Sequence, residues 1–268
     1  MTRGPALRTV DAMTGSDLAI DTLDYDLSFV PDEGISPGQV DSGERHPPGS
    51  PRVSRPTGPD VSDHNRNINW DKVREAGNEF AIAKASEGLT WRAATFPGRW
   101  KAIADAGLLR GAYHFARPQP GRTGADEAKW FLRVVDDAGG FRPGDLRPVL
   151  NLEWGTLDAA GLLRFSYDFA VTVKQHSGLG VGVLCMIYTG FFWRENMGNP
   201  SNNLGCHLWL AAHVSDPERY VPLAWKQKGW SMWQFTSTGS CPGIPGRCDL
   251  NVIRDRATLA KLRLPSQR

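Results

Sequence analysis

Between residues 58 and 188 the chain alternates short apolar runs with amphipathic stretches, and the alternation itself predicts the elements. Residues 58–62, 80–88, 109–115, 147–154 and 181–188 read as strands, being short, rich in aliphatic, β-branched or aromatic residues, and bounded by Gly, Pro or polar turns. Between them, 69–77, 96–106, 124–138 and 157–176 read as helices. Asn69 is a ready N-cap and Gly77, Gly107 and Gly178 are stops, while Ala128, Phe131, Leu132 and Val135 fall on one helical face. The repeat is roughly 30 residues, the rhythm of parallel strands joined by right-handed crossovers. After residue 200 it breaks. Segments 207–212, 231–235 and 249–253 look like strands with little helix between them. Five strands with helices and three without make eight, enough to close a barrel and abolish both edges.

One strand carries chemistry. In 147–154, side-chain alternation sends Asn151 and Glu153 to one face and Leu150, Leu152 and Trp154 to the other. An acid aimed into an apolar interior must be compensated, either by a buried Arg or Lys or by a site that uses its proton. The geometry of the last strands brings company. A helix-free loop at 238–247 most simply joins the last two strands as an antiparallel hairpin, which puts Asp249 at the C-terminal mouth of the barrel. Closure sets the last strand beside the first, so Asp60 lies near Asp249 and both face Glu153, at the end where parallel barrels hold their active sites. Three carboxylates rimmed by Trp154, Tyr188, Trp209 and Trp233 suit a polysaccharide: acids for proton transfer, flat rings for stacking on sugar faces.

Composition adjusts this picture at a few points. The 268 residues carry a net charge of +2, which gives nucleic acid no bulk electrostatic attraction. No stretch approaches the about 20 apolar residues of a membrane span, and residues 1–19 lack the apolar centre of a secretory signal. Ten Trp suit either a stacking groove or a bulky core. Cys185, Cys206, Cys241 and Cys248 form no CxxC pair; Cys241 and Cys248 flank a Pro/Gly-rich loop that a disulfide would close, and Cys185 reads as a buried thiol. The histidines lack H-E-x-x-H spacing, and the glycines at 178, 180 and 182 precede a strand rather than opening a helix, so neither a metal nor a dinucleotide cofactor is expected. Lys84 and Glu87 read as a structural pair at the barrel wall, and Trp70 and Trp100 as helix-to-barrel packing. Residues 1–56 are poor in aromatics and rich in Asp, Gly, Pro and Ser, which predicts a solvated arm, with docking on another protein as its expected use, ahead of a barrel domain at 57–268.

Five segments, in this order, also resemble a known family: Gly58-Pro59-Asp60-Val61-Ser62, Ala83-Lys84-Ala85-Ser86-Glu87-Gly88, Gly111-Ala112-Tyr113-His114-Phe115, Pro148-Val149-Leu150-Asn151-Leu152-Glu153, and Trp233-Gln234-Phe235 with Asp249-Leu250-Asn251. They are similar to the motifs of family 25 glycoside hydrolases, the Chalaropsis-type muramidases. That resemblance implies an irregular, TIM-like α/β barrel of five βα units and three further strands, and cleavage of the β-1,4 bond between N-acetylmuramic acid and N-acetylglucosamine in peptidoglycan. It also implies that Glu153 is the proton donor and that Asp60 and Asp249 line the cleft, with Tyr113 and Gln234 joining the substrate-binding candidates.

One position departs from the family's Asp-x-Glu. Asn151 has no charge with which to act as nucleophile or base, though it can accept a hydrogen bond from the substrate's 2-acetamido N–H and orient that group. Two functions therefore stand at this point: a slowed lysozyme acting on the cell wall, and a module that binds peptidoglycan with its chemistry impaired. A wall-cutting enzyme without an export signal resembles a phage lysin, freed at lysis or carried on the virion.

Overall fold

The computed structural model describes residues 54–176 and 184–266; the proposed arm, apart from its last three residues, and the start of the strand expected at 181–188 lie outside them. Strands β1 (Thr57–Val61), β2 (Phe80–Glu87), β4 (Leu109–Phe115), β5 (Val149–Asn151), β6 (Met186–Thr189), β7 (His207–Ala211), β8 (Met232–Cys241) and β9 (Ile244–Ile253) close into an eight-stranded barrel. A two-residue strand, β3 (Trp91–Arg92), turns back on the end of β2. Neighbours from β1 through β8 pair in parallel, whereas β9 runs antiparallel to both β8 and β1. The expected irregular α/β barrel is what forms.

Helices α1 (Trp70–Glu75), α2 (Phe96–Asp105), α3 (Gly124–Asp137) and α4 (Ala159–His176) fill the expected crossovers, followed by the short α5 (Phe191–Glu195) and a terminal α6 (Arg256–Leu262). Their starts are written in the sequence: Asn69, Thr123 and Asp255 each accept a hydrogen bond from a backbone N–H in the first turn. Helix α3 turns Ala128, Phe131, Leu132 and Val135 to the barrel, as its period predicts. It also meets α4 at a point where no side chain fits. A Cβ on Gly124 would sit 1.9 Å from the Phe165 carbonyl oxygen. Gly124→Ala is expected to cost about 1–3 kcal/mol by overpacking, lowering Tm by roughly 3–10 °C in a calorimetric scan, because backbone cannot yield as a side chain does.

Two apolar layers sandwich the strands. Phe80, Ile82, Val149, Met186 and Met232 fill the barrel, with Leu259 and Leu262 of α6 among them at the N-terminal end. Alternate residues, such as Ala81, Ala83, Leu150 and Ile187, join the larger layer beneath the helices. Seven of the ten tryptophans are buried, so most of this unusual complement is core and only Trp91, Trp130 and Trp154 reach solvent.

Three expectations need correcting. The strand at 147–154 ends at Asn151, and Leu152 makes one last bond to the Tyr188 carbonyl before the chain bends at Glu153. The loop expected at 238–247 is instead the far end of a hairpin whose strands run to Cys241 and Ile244 and turn on Pro242-Gly243. Gly243 has φ +96° and its carbonyl accepts from Asn69 N, so the hairpin tip packs against the start of α1. Finally, Cys241 and Cys248 are buried free thiols, and the segment between them is paired strand, with Cys248 opposite Gly239 and Cys241 opposite Ile244. Cys185 is the expected buried thiol, 3.7 Å from Cys206 Sγ.

Candidate active site

At the C-terminal mouth the inward-facing positions change from apolar to polar. Asp60 on β1 lies directly opposite Asp249 on β9, one strand bond away. Gln234 Nε2 and Asn251 Nδ2 both donate to Asp60 Oδ1, at 2.9 and 2.8 Å. Gln234 Oε1 in turn accepts from Tyr188 OH at 2.9 Å and faces His213 Nε2 at 3.1 Å, so that imidazole nitrogen carries the hydrogen. Asn251 Oδ1 accepts from Trp209 Nε1 at 2.8 Å. The result is a fixed cradle of donors converging on one carboxylate.

Burial raises the pKa of both aspartates, yet the cradle divides their roles. The amide donors favour the ionised form of Asp60 and pull against its desolvation, as does His213. Asp249 has no such donors; burial, then the charges of Asp60 and Glu153, push it well above the ordinary carboxylate range. The two amide donors therefore favour the negative charge of the pair on Asp60 and leave the proton to Asp249.

Across the mouth, Glu153 follows β5 with Asn151 as the last strand residue. Burial raises the Glu153 pKa to about 7, the Asn151 hydrogen bond opposes that shift, Asp60 adds to it, and Lys84 and Arg117 temper it. Asn151 bonds Glu153 through its amide, while its own Oδ1 is buried without a hydrogen-bond partner. An orphan acceptor of that kind is costly unless something else supplies the donor. The arrangement can hold a proton on Glu153 near neutral pH, present a carboxylate opposite it, and accept an N–H between them.

The structure thus brings Glu153, Asn151, Asp60 and Asp249 together. It sorts the expected rings differently. Trp154 is partly exposed at the rim, with the Arg117 guanidinium 5.0 Å from its ring centroid. Tyr113, Tyr188 and Trp209 do face inward, but Tyr188 and Trp209 are spent holding the Asp60 cradle and stack edge-on with each other at 4.9 Å. Gln234 belongs to that cradle too. Trp233 points the other way: parity on β8 turns Met232 and Gln234 inward and Trp233 out among the helices, where its Nε1 donates to the Ala212 carbonyl. It is not a cleft residue.

Arg117 was missed, and Lys84 and Glu87 do form the expected ion pair, at 2.6 Å, but at the mouth. Parity from Phe80 and Ile82 was the available signal for Lys84. For Glu87 there was none, because a register shift between Lys84 and Ser86 turns Ser86 outward to His114 and Glu87 back toward Lys84. Asn251 was legible from its parity with Asp249. A chain of contacts from Ser86 through His114 to Glu127 resembles a nucleophile triad, but all three are sealed between barrel and helices and no substrate can reach them.

Barrel, mouth and carboxylates together define a glycoside hydrolase. Comparison with known proteins makes this specific: residues 59–244 match glycosyl hydrolases family 25, and the chain belongs to that family. It is 29% identical over 211 residues to lysozyme M1 of Streptomyces globisporus, covering 75% of this chain and 68% of that one, and 28% identical over 191 residues to the N,O-diacetylmuramidase of Chalaropsis, 65% of this chain and 85% of that one. Among solved structures, the bacterial lysozyme of Streptomyces coelicolor superposes with a TM-score of 0.68 at 29% identity, covering 79% of this chain and 98% of that one. The family 25 lysozyme of Aspergillus fumigatus gives 0.65 at 28%, over 79% and 99%. The protein is an enzyme of the lysozyme class, a hydrolase of peptidoglycan.

Proposed function

We propose that it cleaves the β-1,4 bond between N-acetylmuramic acid and N-acetylglucosamine, with Glu153 as proton donor and Asn151 as the group that orients the substrate's acetamido arm. The observation that carries this reading is the buried, partnerless Asn151 Oδ1 beside the acid. A sugar in the mouth supplies its acetamido N–H to that oxygen once the Asn151 side chain turns it out of its buried position. The acetamido carbonyl oxygen then attacks the anomeric carbon as the bond to the leaving oxygen breaks, and Glu153 protonates that oxygen. Water opens the resulting oxazoline-type intermediate and returns a proton to the Glu153 carboxylate, giving net retention. The ionised Asp60 faces the positive charge that develops on the ring.

A neutral Asn at 151 withholds one negative charge from that transition state, so turnover is expected to be low. The test is direct: incubation with purified peptidoglycan should release fragments with muramic acid at the new reducing end. Tight binding to walls without any reducing sugar would instead leave the impaired binding module as the function.

The pH profile follows from the same groups. Glu153 must carry its proton, so kcat/KM should fall about ten-fold per pH unit above about 7. Asp60 must be ionised, so activity should also decline on the acid side, from a pH higher than an ordinary aspartate would set. Rates from pH 4 to 9 on soluble glycan strands check both limbs.

A further inference from the structure

On the Glu153 side of the mouth, two cations share one carboxylate. Lys84 Nζ lies 2.6 Å from Glu87 Oε2, while Arg117 approaches Oε1 through Nη2 at 2.6 Å and Nε at 2.7 Å. Among the described residues no other carboxylate forms an ion pair with either, so the trio carries one net positive charge. Glu87 is firmly ionised: burial works against it, but Lys84 and Arg117 together bring its pKa below the usual glutamate value.

Aromatic rings close the trio in. The Lys84 ammonium stands 4.7 Å from the Trp91 ring and 4.8 Å from Phe115, and the Arg117 guanidinium 4.5 Å from Phe115 and 5.0 Å from Trp154. Rings exclude water and favour cations, but they do not neutralise them. The Lys84 and Arg117 side chains keep 13% and 21% of their surface, enough to be met from the cleft and little enough to be poorly hydrated. A clamp tying β2 to the segment after β4 would need one cation for one carboxylate. The second cation is surplus to that role, and it stands within the electrostatic reach of Glu153.

We propose that Lys84 and Arg117, bridged by Glu87, form a subsite for a carboxylate carried by the glycan's own substituents. The inference rests on the proposed muramidase function and deepens it. Muramic acid differs from N-acetylglucosamine by its 3-O-lactyl group, so a site that tells the sugars apart must read that group or what hangs from it. Two sources offer the same chemistry: the lactyl carboxylate where the peptide has been removed, and a free carboxylate of the stem peptide where it has not. Either would be held by charge-assisted hydrogen bonds from a half-dehydrated pair of donors.

The experiment compares three soluble substrates: strands with intact stem peptides, peptide-free strands with free lactyl carboxylates, and peptide-free strands whose lactyl groups have been converted to methylamides. For the wild type, KM on the amidated strands should be about ten-fold higher than on whichever carboxylate substrate the subsite reads, with kcat within about two-fold, the size of one partly screened charge-assisted contact. Arg117→Gln should raise KM by a similar factor on that substrate and by much less on the amide, with Arg117→Lys between, while any change in kcat that acts through Glu153 should be equal on all three. The substrate on which the variant pays the KM penalty identifies the source. Added salt should raise the wild-type KM on the charged strands only, a readout that needs no variant.

Equal KM on charged and amidated strands would overturn the proposal. So would an Arg117→Gln defect confined to kcat and equal on all three substrates, since the trio would then act on Glu153 alone. If no strand is cut at all, the muramidase reading has failed; calorimetric binding of the same strands to Glu153→Gln still reports whether the carboxylate is preferred.

Discussion

Glu153→Gln is expected to lower kcat about a thousand-fold or more on soluble glycan strands, with KM changed by less than about three-fold, as befits loss of a general acid. Glutamine has the same shape and still offers an oxygen to the Asn151 amide, so the cleft keeps its form; what disappears is the proton. The residual rate should lose the fall above pH 7, because the group that titrates there is gone. Stability supplies an independent control. The folded-state pKa of Glu153 lies above its unfolded value, so this side chain disfavours the folded state as pH rises past its ordinary range toward 7, where it is forced to ionise in the fold. Below about pH 4.5 the variant and wild type should melt together; at pH 8 the variant should melt higher. A loss smaller than ten-fold, or an unchanged alkaline limb, would place the proton donor elsewhere.

Much of this site can be read from side-chain parity alone, because a barrel sends alternate residues to its two faces. Asp60, Asn151, Asp249 and, in retrospect, Lys84 and Asn251 all fall inward by counting from their apolar neighbours. Closure of eight strands then makes β1 and β9 neighbours, which joins residues 60 and 249 across most of the chain. What parity could not deliver was division of labour. Tyr188, Trp209 and Gln234 face the right way, but their hydrogen-bonding atoms are already committed to the Asp60 cradle, a fact that depends on three-dimensional reach. Trp233 has a ring suited to stacking, but its parity on β8 turns it outward among the helices. Glu87 is the opposite case: the register shift breaks the count between Lys84 and Ser86, and no residue in Lys84-Ala85-Ser86 announces it. The Pro and Gly between Cys241 and Cys248 signal a loop, but only Pro242-Gly243 turns and the rest is paired strand, which the composition does not announce.

Asn151→Asp is the substitution with the largest expected gain. Its Oδ1 is buried without a hydrogen-bond partner, and an aspartate there would receive the acetamido N–H as a charged acceptor. The same charge would stand beside the positive ring of the transition state. Together these should raise kcat about ten- to a hundred-fold, as expected when one preorganised electrostatic contact is restored. The change also removes the amide hydrogen bond that now holds the Glu153 pKa down and replaces it with a like charge, so Glu153 should keep its proton to higher pH and the alkaline limb should move upward. Rate and pH profile must therefore shift together, which distinguishes this outcome from a simple improvement in folding. On strands whose sugars have been de-N-acetylated neither form should turn over measurably, because the acetamido oxygen that attacks the anomeric carbon is missing. A variant that gains on both substrates would assign residue 151 to charge stabilisation alone; one that gains on neither would show that Asp60 already supplies the charge the chemistry needs, and that the neutral side chain at 151 costs the enzyme nothing.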